Sequence, residues 1–364
     1  MDAKGALANA FDVAALRFEP TELAERLWAM EMNTEDSLRE YLRLFVRIPL
    51  VGRIGPLART FDFVADAAPG VKEILAVGKL CYEVRERHYD LVVVDAEASG
   101  HIVAQIGAPR AIRQLVQVGL VRDQTTWMLD ILDDPLQTGL VIVTTPEEMP
   151  VTETLELVDR VRAETGVDLA AVFANRVLPA LFSEREHEVF TRVAAGAARD
   201  VLVEQIGRPV GTVLDASALL EARRRVGAAH LDRLRAVGRG RPRRPRDHRA
   251  RAVHPGHRAS GGLADGAGDR GRDRLMARRP KPADRPGLDA LLASKEMIVV
   301  CGSGGTGKTT VSAALGAMAA TRLGARVLVM TVDPARRLAT ALGLDPTGIG
   351  GAAPGTEVQV DPAL

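Results

Sequence analysis

The stretch MIVVCGSGGTGKTTVSAAL, residues 297–315, decides the architecture. Met297 to Cys301 form a short apolar run of the kind that makes a buried parallel strand. A glycine-rich loop follows, Val311 to Leu323 read as a helix, and Arg326 to Thr331 read as the next strand. Within it Gly302-Ser303-Gly304-Gly305-Thr306-Gly307-Lys308-Thr309 fits the pattern G-x-x-x-x-G-K-[ST], with a strand before it and a helix after it. Glycines let backbone N–H groups turn inward around phosphate oxygens, and the helix N-terminus adds partial positive charge. Lys308 brings a full charge to the β and γ phosphates, and the Thr309 hydroxyl, followed by Thr310, is placed to ligate Mg²⁺. The expected ligands are therefore ATP and Mg²⁺.

Working outward, the chain upstream alternates helix and strand. A helix is expected from about Asn33, a plausible N-cap, to Ile48, with Pro49 as its stop. Leu91 to Val94 read as a buried strand ending in Asp95 and followed by Gly100, and the polar loop after such a strand is where ligands bind. Strands at Leu140 to Thr144 and Leu169 to Phe173 flank a helix from about Thr152 to Glu164. The regions of about Arg17 to Arg87 and Ala104 to Leu136 read as helical stripes packed on the protein's own sheet. The fold class is α/β: a P-loop NTPase with a mostly parallel sheet flanked by helices.

Between these parts lies a different composition. Residues 223–279 hold eighteen arginines and five aspartates but no lysine or glutamate, so a net charge of only +1 conceals a basic tract. From Val226 to Pro280 there is no Ile, Phe, Tyr or Trp, which predicts a disordered linker. The expected organisation is a body over 1–235, a linker over 236–287 and a P-loop unit over 288–364. Cys81 and Cys301 stand apart with no CxxC or histidine pair nearby and read as buried thiols. No apolar run reaches the ~18 to 20 residues of a membrane helix, and Met1-Asp2-Ala3-Lys4 does not open a signal peptide, so a cytoplasmic protein without stable membrane insertion is expected.

Residues 2–11, DAKGALANAF, align without gaps to residues 333–342, DPARRLATAL, in Asp, Leu, Ala and Ala. In the second copy this segment follows a P-loop, a helix and a strand. The body thus has no P-loop of its own, and the tail has no body.

The segments VDPARRLATALG (332–343), YDLVVVDAEASGH (89–101) and FANR (173–176), together with the glycine loop, resemble the arsenical-pump ATPase family over roughly 1–235 and 288–364. The resemblance implies that Asp333 orients the attacking water, Asp95 holds Mg²⁺ through a water, Gly100 offers its main chain near the γ-phosphate, and Asn175 with Arg176 meets the adenine. Plainer roles remain open for Asp95, as a strand-end cap, and for Asn175, as a turn residue; His101 reads as a satisfied loop histidine. The family's early loop lysine, which reaches a partner's phosphates, is replaced by Ser303. A homodimer or a sibling ATPase subunit, and a hydrophobic protein client, are the partners the resemblance implies.

These observations predict a circularly permuted fold, with the strand 297–301 parallel to 91–94 and the P-loop beside Asp95. The alternative is a catalytically inactive fusion of two sibling ATPase fragments, because the linker resembles G+C-rich coding sequence read out of frame and Met276-Ala-Arg-Arg-Pro resembles a fresh start. A third function class, a nucleic-acid binder acting through the arginine tract, lacks interleaved aromatics for base stacking, so nucleic acid is not the expected partner.

Overall fold

Seven strands organise the chain in the order β1-β2-β7-β3-β6-β4-β5. They are β1 (Thr21–Ala24), β2 (Leu27–Met32), β3 (Leu91–Asp95), β4 (Thr138–Thr144), β5 (Leu169–Ala174), β6 (Met297–Gly302) and β7 (Val327–Val332). The computed structural model describes residues 6–13, 15–41, 71–96, 99–116, 118–239 and 287–332. The last two described strands of the chain lie inside the sheet. β6 runs parallel to both β3 and β4, and β7 runs parallel to both β2 and β3. Only the β1–β2 hairpin is antiparallel, among the pairings whose direction is described.

The helices are α1 (Ala6–Ala10), α2 (Thr34–Tyr41), α3 (Val71–Glu86), α4 (Ser99–Leu115), α5 (Leu120–Leu132), α6 (Glu148–Glu164), α7 (Glu184–Ala194), α8 (Ala197–Ile206), α9 (Arg208–Arg239), α10 (Leu288–Ser294) and α11 (Lys308–Leu323). Side chains alternate across each strand, so the sheet has two apolar faces. On one, Met30, Val92, Val94, Leu140, Ile142, Val299 and Met330 join a core with Leu80 of α3, Ile102 of α4, Met128 of α5 and Val161 of α6. On the other lies α11, with Gly316 against Val329, Leu27 and Val327, and α1 packs on α11. Strands buried on both faces must read as continuous apolar runs, which is why LVVVD and MIVVCG carry so clear a signal.

Two compact units are present. The first falls within Met1–Thr144, Glu156–Phe173 and Ser294–Leu364 and contains the sheet core. The second, Thr145–Leu155 and Ala174–Ala293, is helical. In it a capping box between Ser183 and Glu186 starts α7, and Arg199 of α8 grips Asp215 of α9 with contacts of 2.6 and 2.7 Å.

Two sequence expectations are corrected. Residues 21–32 lie in the stretch read as helical, yet they form the β1–β2 hairpin. Ala, Glu, Leu and Met favour helix locally, but pairing of β2 with β7 from Leu27↔Val327 to Met32↔Val332 outweighs that preference. The expected linker is helical up to Arg239, since α9 runs 32 residues through Val226 and through the 236–239 stretch assigned to disorder. Ala, Leu and Arg are good helix formers regardless of aromatic content, and Asp232 pairs with Arg235 one turn on. The rest of the linker, residues 240–286, lies outside the described residues. Asn33 does cap α2, its Oδ1 accepting from the Asp36 N–H at 2.8 Å, while residues 42–48 of the expected helix lie outside the described residues. Among the described residues no helix is long and apolar enough to cross a membrane.

Candidate functional site

The glycine loop begins where β6 passes β4. Gly302 has φ 145°, and a Cβ there would run into the Val143 carbonyl oxygen, so the strand can only leave the sheet at this point through glycine. Gly307 then takes the left-handed conformation, φ 95° and ψ 27°, that turns the chain into α11. Gly305 is likewise at a positive φ, 74°, whereas Gly304 is different. Nothing stands within 4 Å of where the Cβ of either would be, so at Gly304 no internal packing demands glycine. Bare backbone facing open space is what close approach of a phosphate requires.

Hydrogen bonds hold this loop to itself. Thr306, buried, donates its hydroxyl to the Ser303 carbonyl at 2.9 Å, and the Lys308 ammonium donates to the same oxygen at 3.0 Å. Burial pulls the Lys308 pKa below the ordinary lysine range, while Asp95 and Cys301 oppose that shift. The ammonium therefore lies over the loop, at the first turn of α11, where the helix dipole adds its own positive field. Thr310, next in the helix, is exposed.

The end of β3 meets this turn. Thr309 donates its hydroxyl to Asp95 Oδ2 at 2.7 Å, with Ser312 and Thr331 donating to the same carboxylate at 3.4 Å each. Asp95 is only 5% exposed. Burial raises its pKa above the usual aspartate value, and the three hydroxyls and the charge of Lys308 hold the shift back. Register explains the meeting: Asp95 lies level with Val300 on one side and Thr331 on the other, just below the point where β6 gives way to the loop. The site lies at the carboxyl ends of parallel strands, the usual position of ligand sites in open α/β sheets.

Ser312 and Thr331 were not among the residues read from sequence. Ser312 lies three residues after Thr309, on the same helical face, and that spacing was the available signal. Thr331 had none, because only its sheet register brings it to Asp95. Gly100 and His101 lie in the first turn of α4, so His101 is an exposed helical residue and not a loop histidine. Asn175 and Arg176 follow β5 in the second unit, with the Arg176 N–H donating to Asn175 Oδ1 at 2.9 Å and Arg176 at φ 56°. Asp333, Asp2 and the repeated segments 2–5 and 333–342 lie outside the described residues.

A magnesium nucleotide fits this donor set. One hydroxyl and one nearby carboxylate leave most of the coordination sphere for phosphate oxygens and water, as Mg²⁺ prefers. Among the described residues no group of three or more His, Cys, Asp or Glu offers an all-protein metal cage. Cys81 and Cys301 are both buried, and burial pushes the Cys301 thiol up to about 12 and Cys81 higher still.

The sequence model of the anion-transporting ATPase family matches residues 1–124, 113–197 and 295–349, more than half of the chain. The chain belongs to the anion-transporting ATPase family. Both parts of the site fall within the match: Asp95 in the first segment, and the loop with Lys308 and Thr309 in the third. Relatives of this chain include ATPase BagA of Mycobacterium tuberculosis, 28% identical over 191 residues, which is 50% of this chain and 56% of that protein. A protein of Aquifex aeolicus named arsenical pump-driving ATPase 2 is 24% identical over 189 residues, 44% of this chain and 63% of that protein. The chain thus spans less than two thirds of the length of either relative.

Proposed function

We propose that this chain binds Mg·ATP in the loop 302–309 and hydrolyses it, acting as a nucleotide-dependent switch on a partner. The hydrogen bond from Thr309 to Asp95 supports the reading most directly, because it joins the P-loop to the second-switch segment although the two lie 214 positions apart in the chain. Main-chain amides of the loop and Lys308 would hold the phosphates. When bound, Mg²⁺ would neutralise charge on the β and γ phosphate oxygens, with Thr309 as a ligand and Asp95 behind it. The Thr309 hydroxyl then turns its lone pair outward, and Ser312 and Thr331 keep Asp95 oriented and ionised.

The remaining roles follow the family resemblance. Asp333 would orient the attacking water, Gly100 would face the γ-phosphate, and Asn175 and Arg176 would meet the base. With Ser303 in place of the early loop lysine, the phosphates of a partner subunit receive no ammonium from this loop. Coupling to a hydrophobic protein client belongs to the same reading, as does a fold in which the P-loop unit follows its body in sequence.

The test is an equilibrium titration of the purified chain with ATP, with and without Mg²⁺, alongside release of phosphate. Wild type should bind in a Mg²⁺-dependent way and turn over, and Lys308→Ala should abolish turnover and weaken binding by about 10²-fold or more. Unchanged turnover in that variant would remove the reading. Binding without any phosphate release from the wild type would favour the catalytically inactive fusion instead.

A further inference from the structure

The turn Ser303-Gly304-Gly305-Thr306 is fixed at both ends and open at its tip. Ser303 and Thr306 are 6% and 1% exposed, while the two glycines between them face solvent. Gly305, at φ 74°, takes the third position, where a tight turn tolerates positive φ only in a residue such as glycine. The chain doubles back there, and the Thr306 hydroxyl donates to the Ser303 carbonyl at 2.9 Å.

Packing alone does not call for that hydroxyl. Valine has nearly the shape of threonine, and a buried hydroxyl costs free energy unless it is hydrogen-bonded. The oxygen that satisfies it is the same one that accepts from the Lys308 ammonium at 3.0 Å. A carbonyl oxygen has two lone pairs, so both bonds form together. The two donors differ in stiffness. Thr306 is β-branched and buried, with one restricted side-chain torsion, whereas the Lys308 ammonium ends a flexible four-carbon stem and is half-buried. The stiff donor therefore fixes where the carbonyl points, and the carbonyl fixes where the ammonium rests. An ammonium carries three protons, so one given to Ser303 leaves two for phosphate oxygens.

We propose that Thr306 is a positioning residue for Lys308. Its hydroxyl holds the Ser303 carbonyl, and that carbonyl keeps the ammonium in the place from which it meets phosphate. The inference deepens the proposed function and rests on it for the identity of the anion, although the ties among Thr306, Ser303 and Lys308 exist without any nucleotide.

Two measurements on the full-length chain test it. In the first, the nucleotide-free chain is exposed briefly to trace acetic anhydride, and acetylation of Lys308 is followed by mass spectrometry against the same peptide from unfolded chain. Thr306→Val should raise the rate at Lys308 several-fold, because an ammonium that loses its acceptor gives up its proton more readily and meets the reagent more often. Thr306→Ser keeps the hydroxyl and should stay near wild type. In the second, calorimetric titration with Mg·ATP should show a Kd about tenfold higher in Thr306→Val, the size of effect expected for one lost anchor at a charged group, and little change in Thr306→Ser. Thr306→Ala, which removes the hydroxyl with a smaller side chain, guards against a valine variant that fails to fold.

Wild-type acetylation rates in the valine and alanine variants overturn the proposal, as does a serine variant that departs from wild type as far as valine does. A raised rate with unchanged Mg·ATP affinity also overturns it, since the resting place of the ammonium would then not be its binding place. Loss of folding in both the valine and alanine variants, seen by thermal unfolding, would make Thr306 a structural residue and overturn it too. If the wild-type chain binds no Mg·ATP, the proposed function falls, and the acetylation comparison alone decides whether Thr306 holds Lys308.

Discussion

Asp95 is held between opposing effects: burial favours its neutral acid, while three hydroxyl donors and the Lys308 charge favour the carboxylate. Its pKa stays above the ordinary aspartate value, so on acidification it takes up a proton before an exposed aspartate does. The neutral acid no longer supports a cation. Mg·ATP affinity should therefore fall on acidification, beginning at a higher pH than an exposed aspartate would set, and Asp95→Asn should flatten that dependence, as titration calorimetry would show. Linkage runs the other way for stability. A carboxyl whose native pKa is raised destabilises the fold once it is ionised at neutral pH, so Asp95→Asn should raise the thermal transition while weakening the Mg²⁺ requirement. A fall in both would contradict the assignment of burial as the dominant cause. At Gly302 the argument is steric. Gly302→Ala drives a methyl into the Val143 carbonyl at a positive φ and should cost about 2–4 kcal/mol in urea unfolding; a cost below about 1 kcal/mol would mean that the strand can relax away from β4.

The helix α11 joins the loop to the sheet, and Gly316 sets their distance. Alanine is a better helix former than glycine by about 1 kcal/mol. A Cβ at this position, however, would press on the Val329 side chain inside a packed face, and overpacking costs about 1–3 kcal/mol. Because the crowded neighbour sits on a central strand, packing should win: Gly316→Ala should lower the urea midpoint and weaken nucleotide binding by tilting the first turn of α11. Stabilisation by this substitution would show that the helix floats on the sheet. The β1–β2 hairpin teaches the reverse lesson about local preference. LWAMEM has the composition of a helix and becomes a strand because β7 presents a complete parallel partner along all of it.

For the first unit as a whole, interleaving of early and late chain segments implies cooperativity. β6 and β7 have no sheet without β2, β3 and β4, so neither part should melt alone. Trp28 on β2 and the buried thiols of Cys81 and Cys301 report on the two segments and the helix between sheet and solvent. Tryptophan fluorescence and thiol reactivity should therefore change at one denaturant concentration. Release of the Cys301 thiol ahead of the fluorescence change would show a P-loop segment that detaches from an otherwise folded body.

The sequence alone determined the P-loop, its strand and helix, the strand ending in Asp95 and the α/β class, because strands buried on both faces must be continuously apolar and a phosphate loop must be glycine-rich. It also contained the reason for bringing Lys308 and Asp95 together, since each half lacked what the other held. What only the tertiary structure decided is the sheet order, the strand character of residues 21–32, the helix to Arg239, and the place of Ser312 and Thr331 around the carboxylate. Those outcomes depend on which strand lies beside which, and pairing energy between segments some 300 positions apart leaves no trace in the local preferences of either.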